Sequence, residues 1–183
     1  MKIIGLTGGS GTGKGTVAAR MRALGAGWVD ADAVYRTLCA ENREMLSALD
    51  TAFGGVTDAN GVLDPAKVQQ LNEITTPYIR KASLDAIHAQ SACPIVLYDA
   101  PTLFEAGADD FCDKIIAVLA PHDTRVARII ERDGLSDEAA RARIDAQPND
   151  MFYREKCDFI IENNGDLDML YRDTDALYSQ LIK

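Results

Sequence analysis

The chain opens Lys2-Ile3-Ile4-Gly5-Leu6-Thr7-Gly8-Gly9-Ser10-Gly11-Thr12-Gly13-Lys14-Gly15-Thr16. An apolar run of strand length gives way to a glycine-dense turn, after which Val17, Ala18, Met21 and Leu24 recur at helical spacing. The local reading is strand, phosphate loop, helix. Glycines let consecutive backbone N–H groups curl inward around phosphate oxygens, Lys14 adds a mobile positive charge, and the following helix aims the positive end of its dipole at the same anion. From Gly8 to Gly13-Lys14 the spacing fits the Walker A pattern G-x-x-x-x-G-K-[ST] at every position but the last, where Gly15 stands and Thr16 follows. Gly9, Gly11, Thr12, Gly13, Lys14, Gly15 and Thr16 are therefore the candidate residues for holding a nucleotide polyphosphate. A hydroxyl after the lysine usually reaches Mg²⁺, so Gly15 implies a Mg²⁺ held by phosphates, waters and carboxylates instead.

The rest of the composition bounds the partners. With 183 residues the chain can bury a sizeable core, and its length favours one domain with at most a small insert. A net charge of -9 and a pI near 4.7 argue against nucleic acid or an anionic membrane as the main partner, since both need a basic field. No apolar stretch approaches the ~20 residues of a membrane span, and the N-terminus runs straight into a strand without a targeting pattern, so a cytoplasmic protein is expected. Cys39, Cys93, Cys112 and Cys157 form no C-x-x-C pair and read as free, mostly buried thiols in a reducing compartment.

Further along, Trp28-Val29-Asp30-Ala31-Asp32 reads as a short strand ending in two aspartates, with one of Asp30 and Asp32 capping the next helix and the other left for chemistry. Residues 41–90 carry helical signals, with turns at Phe53-Gly54-Gly55 and Asp58-Ala59-Asn60-Gly61 and with Pro77 in the first turn of a long helix that leaves Arg80 polar. Pro94-Ile95-Val96-Leu97-Tyr98-Asp99 is an apolar run closing on an acid, the Walker B arrangement that presents Asp99 to Mg²⁺ or its waters. Pro101, Phe104 and Glu105 continue over that strand's ligand-facing end. A fourth strand, 114–119, leads into a helix with Arg125, Arg128 and Arg132 on one stripe, of which Arg128 or Arg132 is expected to touch phosphate. Ser136 can cap a helix carrying Arg141, Arg143, Ile144 and Gln147. A fifth strand, 158–162, and a final helix with Leu167, Leu170, Tyr171, Thr174, Leu177, Tyr178 and Leu181 on one stripe complete the chain.

Taken in order, Thr7-Gly8-Gly9 with the glycine-lysine loop, Val29-Asp30-Ala31-Asp32, Gly61-Val62-Leu63-Asp64, Pro101-Thr102-Leu103-Phe104-Glu105, Arg132-Asp133-Gly134-Leu135-Ser136, Arg141-Ala142-Arg143-Ile144 through Gln147, and Asn163-Asn164-Gly165 resemble the dephospho-CoA kinases. The resemblance implies an α/β fold: a three-layer P-loop kinase with a five-stranded parallel sheet. It also implies a single domain over 1–183, with a helical acceptor-binding insert at about 41–92 and a lid at about 132–155. It implies transfer of the ATP γ-phosphate to the ribose 3′-hydroxyl of dephospho-CoA, with ATP and Mg²⁺ required and the protein a monomer or small homo-oligomer. By the family pattern Asp32 orients or deprotonates the hydroxyl, Asp99 holds Mg²⁺, and Lys14 with the lid arginines stabilises the transferring phosphoryl group. Arg128, Arg132 and Arg143 fall on the ATP side, and Asp32, Arg80, Pro101, Phe104 and Glu105 on the acceptor side.

This chain departs from the family pattern in three places. Gly15 replaces the usual serine, Thr76-Pro77 stands where His-Pro is common, and Tyr153 occupies the register of a lid arginine, with Arg154 beside it. The Gly-Lys-Gly-Thr ending is also similar to that of adenylate kinases. Two other readings follow, a kinase of another small acceptor such as a nucleoside monophosphate, and a non-catalytic nucleotide-binding regulatory protein.

Overall fold

The computed structural model describes residues 1–53 and 65–183. In chain order the elements are β1 (Lys2–Thr7), α1 (Lys14–Ala23), β2 (Gly27–Asp30), α2 (Ala31–Glu41), α3 (Arg43–Phe53), α4 (Pro65–His88), β3 (Ile95–Asp99), β4 (Lys114–Leu119), α5 (His122–Asp133), α6 (Asp137–Asp145), α7 (Asp150–Lys156), β5 (Phe159–Glu162) and α8 (Leu167–Leu181). By internal contacts the chain divides into two compact units, residues 1–28 with 90–183, and residues 29–89.

The five strands form one parallel sheet in the order β2-β3-β1-β4-β5. β1 lies between β3 and β4, with Leu6 level with both Asp99 and Ile116. The connection after β1 runs toward one side of the sheet and the connection after β4 toward the other, which opens a crevice at their carboxyl ends. The loop 8–13 sits there. Strands covered on both faces need apolar residues at every position, and all of β3 is buried. Successive side chains then alternate between two cores. Ile4, Leu6, Ile116 and Val118 pack with Val17 and Met21 of α1 and with Leu170, Leu177 and Leu181 of α8. On the other face Ala117 and Leu119 pack with Tyr153, flanked by Phe104 and Phe152.

Several sequence expectations are corrected here. β2 ends at Asp30 alone, because α2 starts at Ala31 and takes Asp32 into its first turn. Asp30 is the cap, its Oδ1 accepting from the N–H groups of Asp32 and Ala33 at 2.9 and 3.2 Å. Gln147 lies beyond α6, which stops at Asp145, although Ser136 caps that helix as expected. Leu167 is 52% exposed, because it starts α8 where the helix emerges past its Asp166 cap. Tyr171 is half-buried, with the Arg20 guanidinium 4.9 Å over its ring. All four cysteines are free and half-buried rather than buried, and burial pushes the Cys112 and Cys157 thiols up to about 12.

In the smaller unit α2 and α3 pack on α4, with Met45 and Ile87 fully buried. Pro77 is not in a first turn but deep inside the 24-residue α4. A proline there removes one backbone hydrogen bond and crowds the carbonyl of Glu73, at about 3 kcal/mol. The helix is continuous through it, with Thr75, Ser83 and Ile87 buried along one stripe and the Thr75 hydroxyl donating back to Leu71 O at 2.9 Å. The expected turn at 58–61 and the block Gly61-Val62-Leu63-Asp64 lie outside the described residues.

Candidate active site

The phosphate loop is shaped by close neighbours as much as by its glycines. Gly13 has φ +94°, a left-handed conformation, and an added Cβ would run into the side-chain amide of Asn163. That amide, just past β5, donates to Thr12 O at 2.8 Å and is buried. Thr12 is itself buried, its hydroxyl donating to Gly9 O at 2.9 Å. Gly15, by contrast, is exposed, and a methyl group added there would meet nothing within 4 Å. Gly13→Ala is therefore expected to destabilise the protein by about 2 kcal/mol and to weaken nucleotide binding, while Gly15→Ala leaves the melting temperature unchanged or slightly raised. Calorimetric melting of the two variants side by side checks this.

Lys14, the first residue of α1, reaches across to the end of β3 and forms an ion pair with Asp99 Oδ1. Trp28 Nε1 approaches the other carboxylate oxygen at 3.4 Å, and Trp28 is fixed by reciprocal hydrogen bonds of its backbone with the Gln90 side chain. Lysine and carboxylate are both largely shielded, their side chains 16% and 9% exposed. Thr7, fully buried at the end of β1, donates to Pro101 O at 3.3 Å and so ties the segment after β3 to the loop's root.

Of the three arginines on the α5 stripe, the first is the least expected. Arg125 is 6% exposed; its Nε donates to Ser10 O at 2.9 Å and its Nη2 to Gln147 Oε1 at 2.8 Å. Burial pushes its pKa below the ordinary arginine value, with Asp150 opposing. Arg128 donates to the carbonyls of Gly11 and Thr12 at 3.1 and 3.4 Å. Arg132 and Arg143 instead converge on Asp133, holding its carboxyl down at about 2. Neither makes a hydrogen bond to the loop among the described residues.

The region after α6 is anchored in the same unit. Tyr153 packs into the core on β4, 4% exposed, and its hydroxyl is pushed up by burial and then by Glu105. Arg154 pairs with Glu162 at the end of β5. Phe104 meets Phe152 edge-on at 5.4 Å, while Glu105 is exposed. In the other unit Asp32 is exposed in the first turn of α2, its carboxylate without a hydrogen bond or ion pair among the described residues, and Arg80 lies half-buried on α4.

A family model for dephospho-CoA kinase matches residues 2–169. The chain belongs to the dephospho-CoA kinase family. It is 38% identical to the dephospho-CoA kinase of Corynebacterium diphtheriae over 94% of this chain and 93% of that one. Among solved structures, a protein from Thermus thermophilus is 31% identical with a TM-score of 0.80, covering 98% of this chain and 97% of its own. The dephospho-CoA kinase from Campylobacter jejuni shares the fold, with a TM-score of 0.68 at 23% identity over 98% and 96% of the two chains.

Within this dephospho-CoA kinase family member the structure brings together Gly9, Gly11, Thr12, Gly13, Lys14, Gly15, Thr16, Arg128, Asp99 and Pro101. It adds Ser10, Trp28, Arg125, Gln147 and Asn163, to which the sequence assigned no role in the site. The signals were the spacing of Arg125 from Arg128 and the place of Gln147 and Asn163 in blocks shared with the family; their contacts with the loop span 137 and 151 residues, where no periodicity reaches.

Proposed function

We propose that the chain transfers the terminal phosphate of ATP to the 3′-hydroxyl of the dephospho-CoA ribose, giving CoA and ADP. The observation that carries this is the glycine loop at the β1–β4 crevice, with Lys14 paired to Asp99 at its mouth. Phosphoryl transfer depends mostly on in-line positioning and charge neutralisation. The N–H groups of Thr12 and Thr16 bond within the loop, to Gly9 O at 3.4 Å and Gly13 O at 2.9 Å; the other N–H groups of 11–16 and the α1 terminus bind the β- and γ-phosphates. Lys14 exchanges Asp99 for the γ-phosphate when ATP arrives, which frees the carboxylate.

Among the described residues no three His, Cys, Asp or Glu side chains gather as a metal cage. A single shielded carboxylate beside a phosphate loop fits Mg²⁺, which keeps waters and substrate phosphates and needs only one or two carboxylates. Asp99 would hold it, and the ion when bound neutralises charge developing between the β- and γ-phosphates. Asp32 orients or deprotonates the acceptor hydroxyl, with Arg80, Pro101, Phe104 and Glu105 on the acceptor side. Residues 41–92 serve as the acceptor-binding insert and 132–155 as the lid of one kinase domain, with Arg132 and Arg143 on the ATP side. Among the described residues no helix is long and apolar enough to cross a membrane, and free thiols suit the cytoplasm, where we assign the enzyme.

The test is release of ADP with formation of CoA from ATP, Mg²⁺ and dephospho-CoA, run beside a panel of nucleoside monophosphates. CoA formation is expected. No turnover at millimolar dephospho-CoA would overturn the proposal, and ATP binding without turnover of any acceptor would establish a regulatory protein.

A further inference from the structure

We infer that Gln147 and Arg125 form a latch that holds the first half of the phosphate loop in its binding shape, making Gln147 a positioning residue for ATP. The inference rests on the reading of 8–16 as the ATP loop. Ser10 has three polar groups, and all are taken. Its N–H donates to Gln147 Oε1 at 2.9 Å, its carbonyl accepts from Arg125 Nε at 2.9 Å, and its hydroxyl accepts from Gln147 Nε2 at 3.1 Å. Arg125 Nη2 closes the set on the same Gln147 oxygen at 2.8 Å. The amide orientation follows from this pattern, since a flipped Gln147 would set its NH₂ against two donors.

The consequences for the loop are geometric. With its N–H turned toward Gln147, Ser10 cannot offer it to a phosphate, so the cradle begins at Gly11. The Arg125 side chain fills the space where a Cβ on Gly9 would stand, and its backbone crowds Gly11, whose φ is +78°. Gly9 and Gly11 are thus required by the arginine lying behind them as well as by the ligand in front. A guanidinium this buried would ordinarily find a carboxylate, yet these hydrogen bonds of Arg125 run to two neutral oxygens. Holding loop carbonyls outward keeps the opposite N–H groups inward, and a loop ordered in advance loses less entropy when the ligand binds.

Gln147 is also the hinge of a connection. Its own N–H bonds to Ile144 O at 3.0 Å at the end of α6, and Pro148 and the Asn149-capped α7 follow at once. Displacement of α6 or α7 therefore pulls on Ser10 directly. A cavity of about 350 Å³ bordered by Arg125, Gln147, Asp145 and Asn149 leaves room for the amide to move out.

The experiment is ATP affinity by calorimetry, with steady-state kinetics on the same samples, for wild type, Gln147→Met, Arg125→Met, the double variant, and Leu177→Val as a packing control. Methionine keeps the length of the Gln147 side chain and the unbranched stem of Arg125, and removes the hydrogen bonds. Gln147→Met is expected to raise the Kd and KM for ATP about tenfold with kcat within twofold, because an ordered loop serves ground and transition states alike. The double variant should be no weaker than the worse single one, since the two act as a unit. Leu177→Val, in the core between α8 and the sheet, should lower the melting temperature and leave the Kd unchanged. Unchanged ATP affinity in Gln147→Met, or a loss confined to melting temperature and active fraction, overturns the latch. Absence of ATP binding by the wild type overturns instead the ATP-loop reading beneath it, and the latch with it.

Discussion

Lys14→Met is expected to lower kcat/KM by at least about 10²–10³-fold, the loss seen when a single preorganised group aimed at transition-state charge is removed. Methionine keeps the unbranched stem that packs at the start of α1 and deletes only the ammonium. Two separable effects follow. The transferring phosphoryl group loses its mobile cation, which appears in the rate. Asp99 loses its partner and is left largely shielded with, among the described residues, the Trp28 indole N–H alone at 3.4 Å, which appears in stability at about 1–3 kcal/mol. Lys14→Arg should not rescue the rate, because a planar fork cannot follow the path of a compact ammonium through the loop's mouth. Initial rates of CoA formation at saturating Mg²⁺, with melting curves on the same samples, separate the two effects. A Lys14→Met enzyme within fivefold of the wild-type rate would remove Lys14 from the phosphoryl-transfer site.

The local part of this site is written in contiguous residues. Each strand boundary falls within one or two residues of its reading, because a buried parallel strand needs an unbroken apolar run and stops where a glycine, proline or acid intervenes. Sheet order carries no such mark; that β1 lies between β3 and β4 follows from how the strands pack. Pro77 misleads because local preference assigns it to a helix start, while the buried stripe of Thr75, Ser83 and Ile87 decides the matter for α4. Tyr153 misleads in the opposite way. Aligned with a lid arginine, it is a core residue on β4, and Arg154 beside it is committed to Glu162. Arg125 looks like one more surface arginine until α5 packs its guanidinium against the loop.

Asp32→Asn is expected to reduce kcat by about 10²–10⁴-fold, the usual contribution of a positioned general base, while ATP affinity stays at the wild-type value. The two aspartates of Asp30-Ala31-Asp32 divide the work in a way their spacing leaves open. Asp30 spends one carboxylate oxygen on two backbone N–H groups of α2 and has the other 3.6 Å from Arg36. Its removal should cost about 1 kcal/mol of stability, as for other helix caps. Asp32, in the first turn, has an exposed carboxylate with no bond among the described residues, so asparagine there disturbs no contact among them. A rate loss in Asp32→Asn with the melting temperature unchanged is then a statement about chemistry. Asp30→Ala provides the complementary measurement, a lower melting temperature with turnover largely kept below it. If Asp32→Asn retains full rate, the base lies elsewhere, and Asp99 becomes the carboxylate to test.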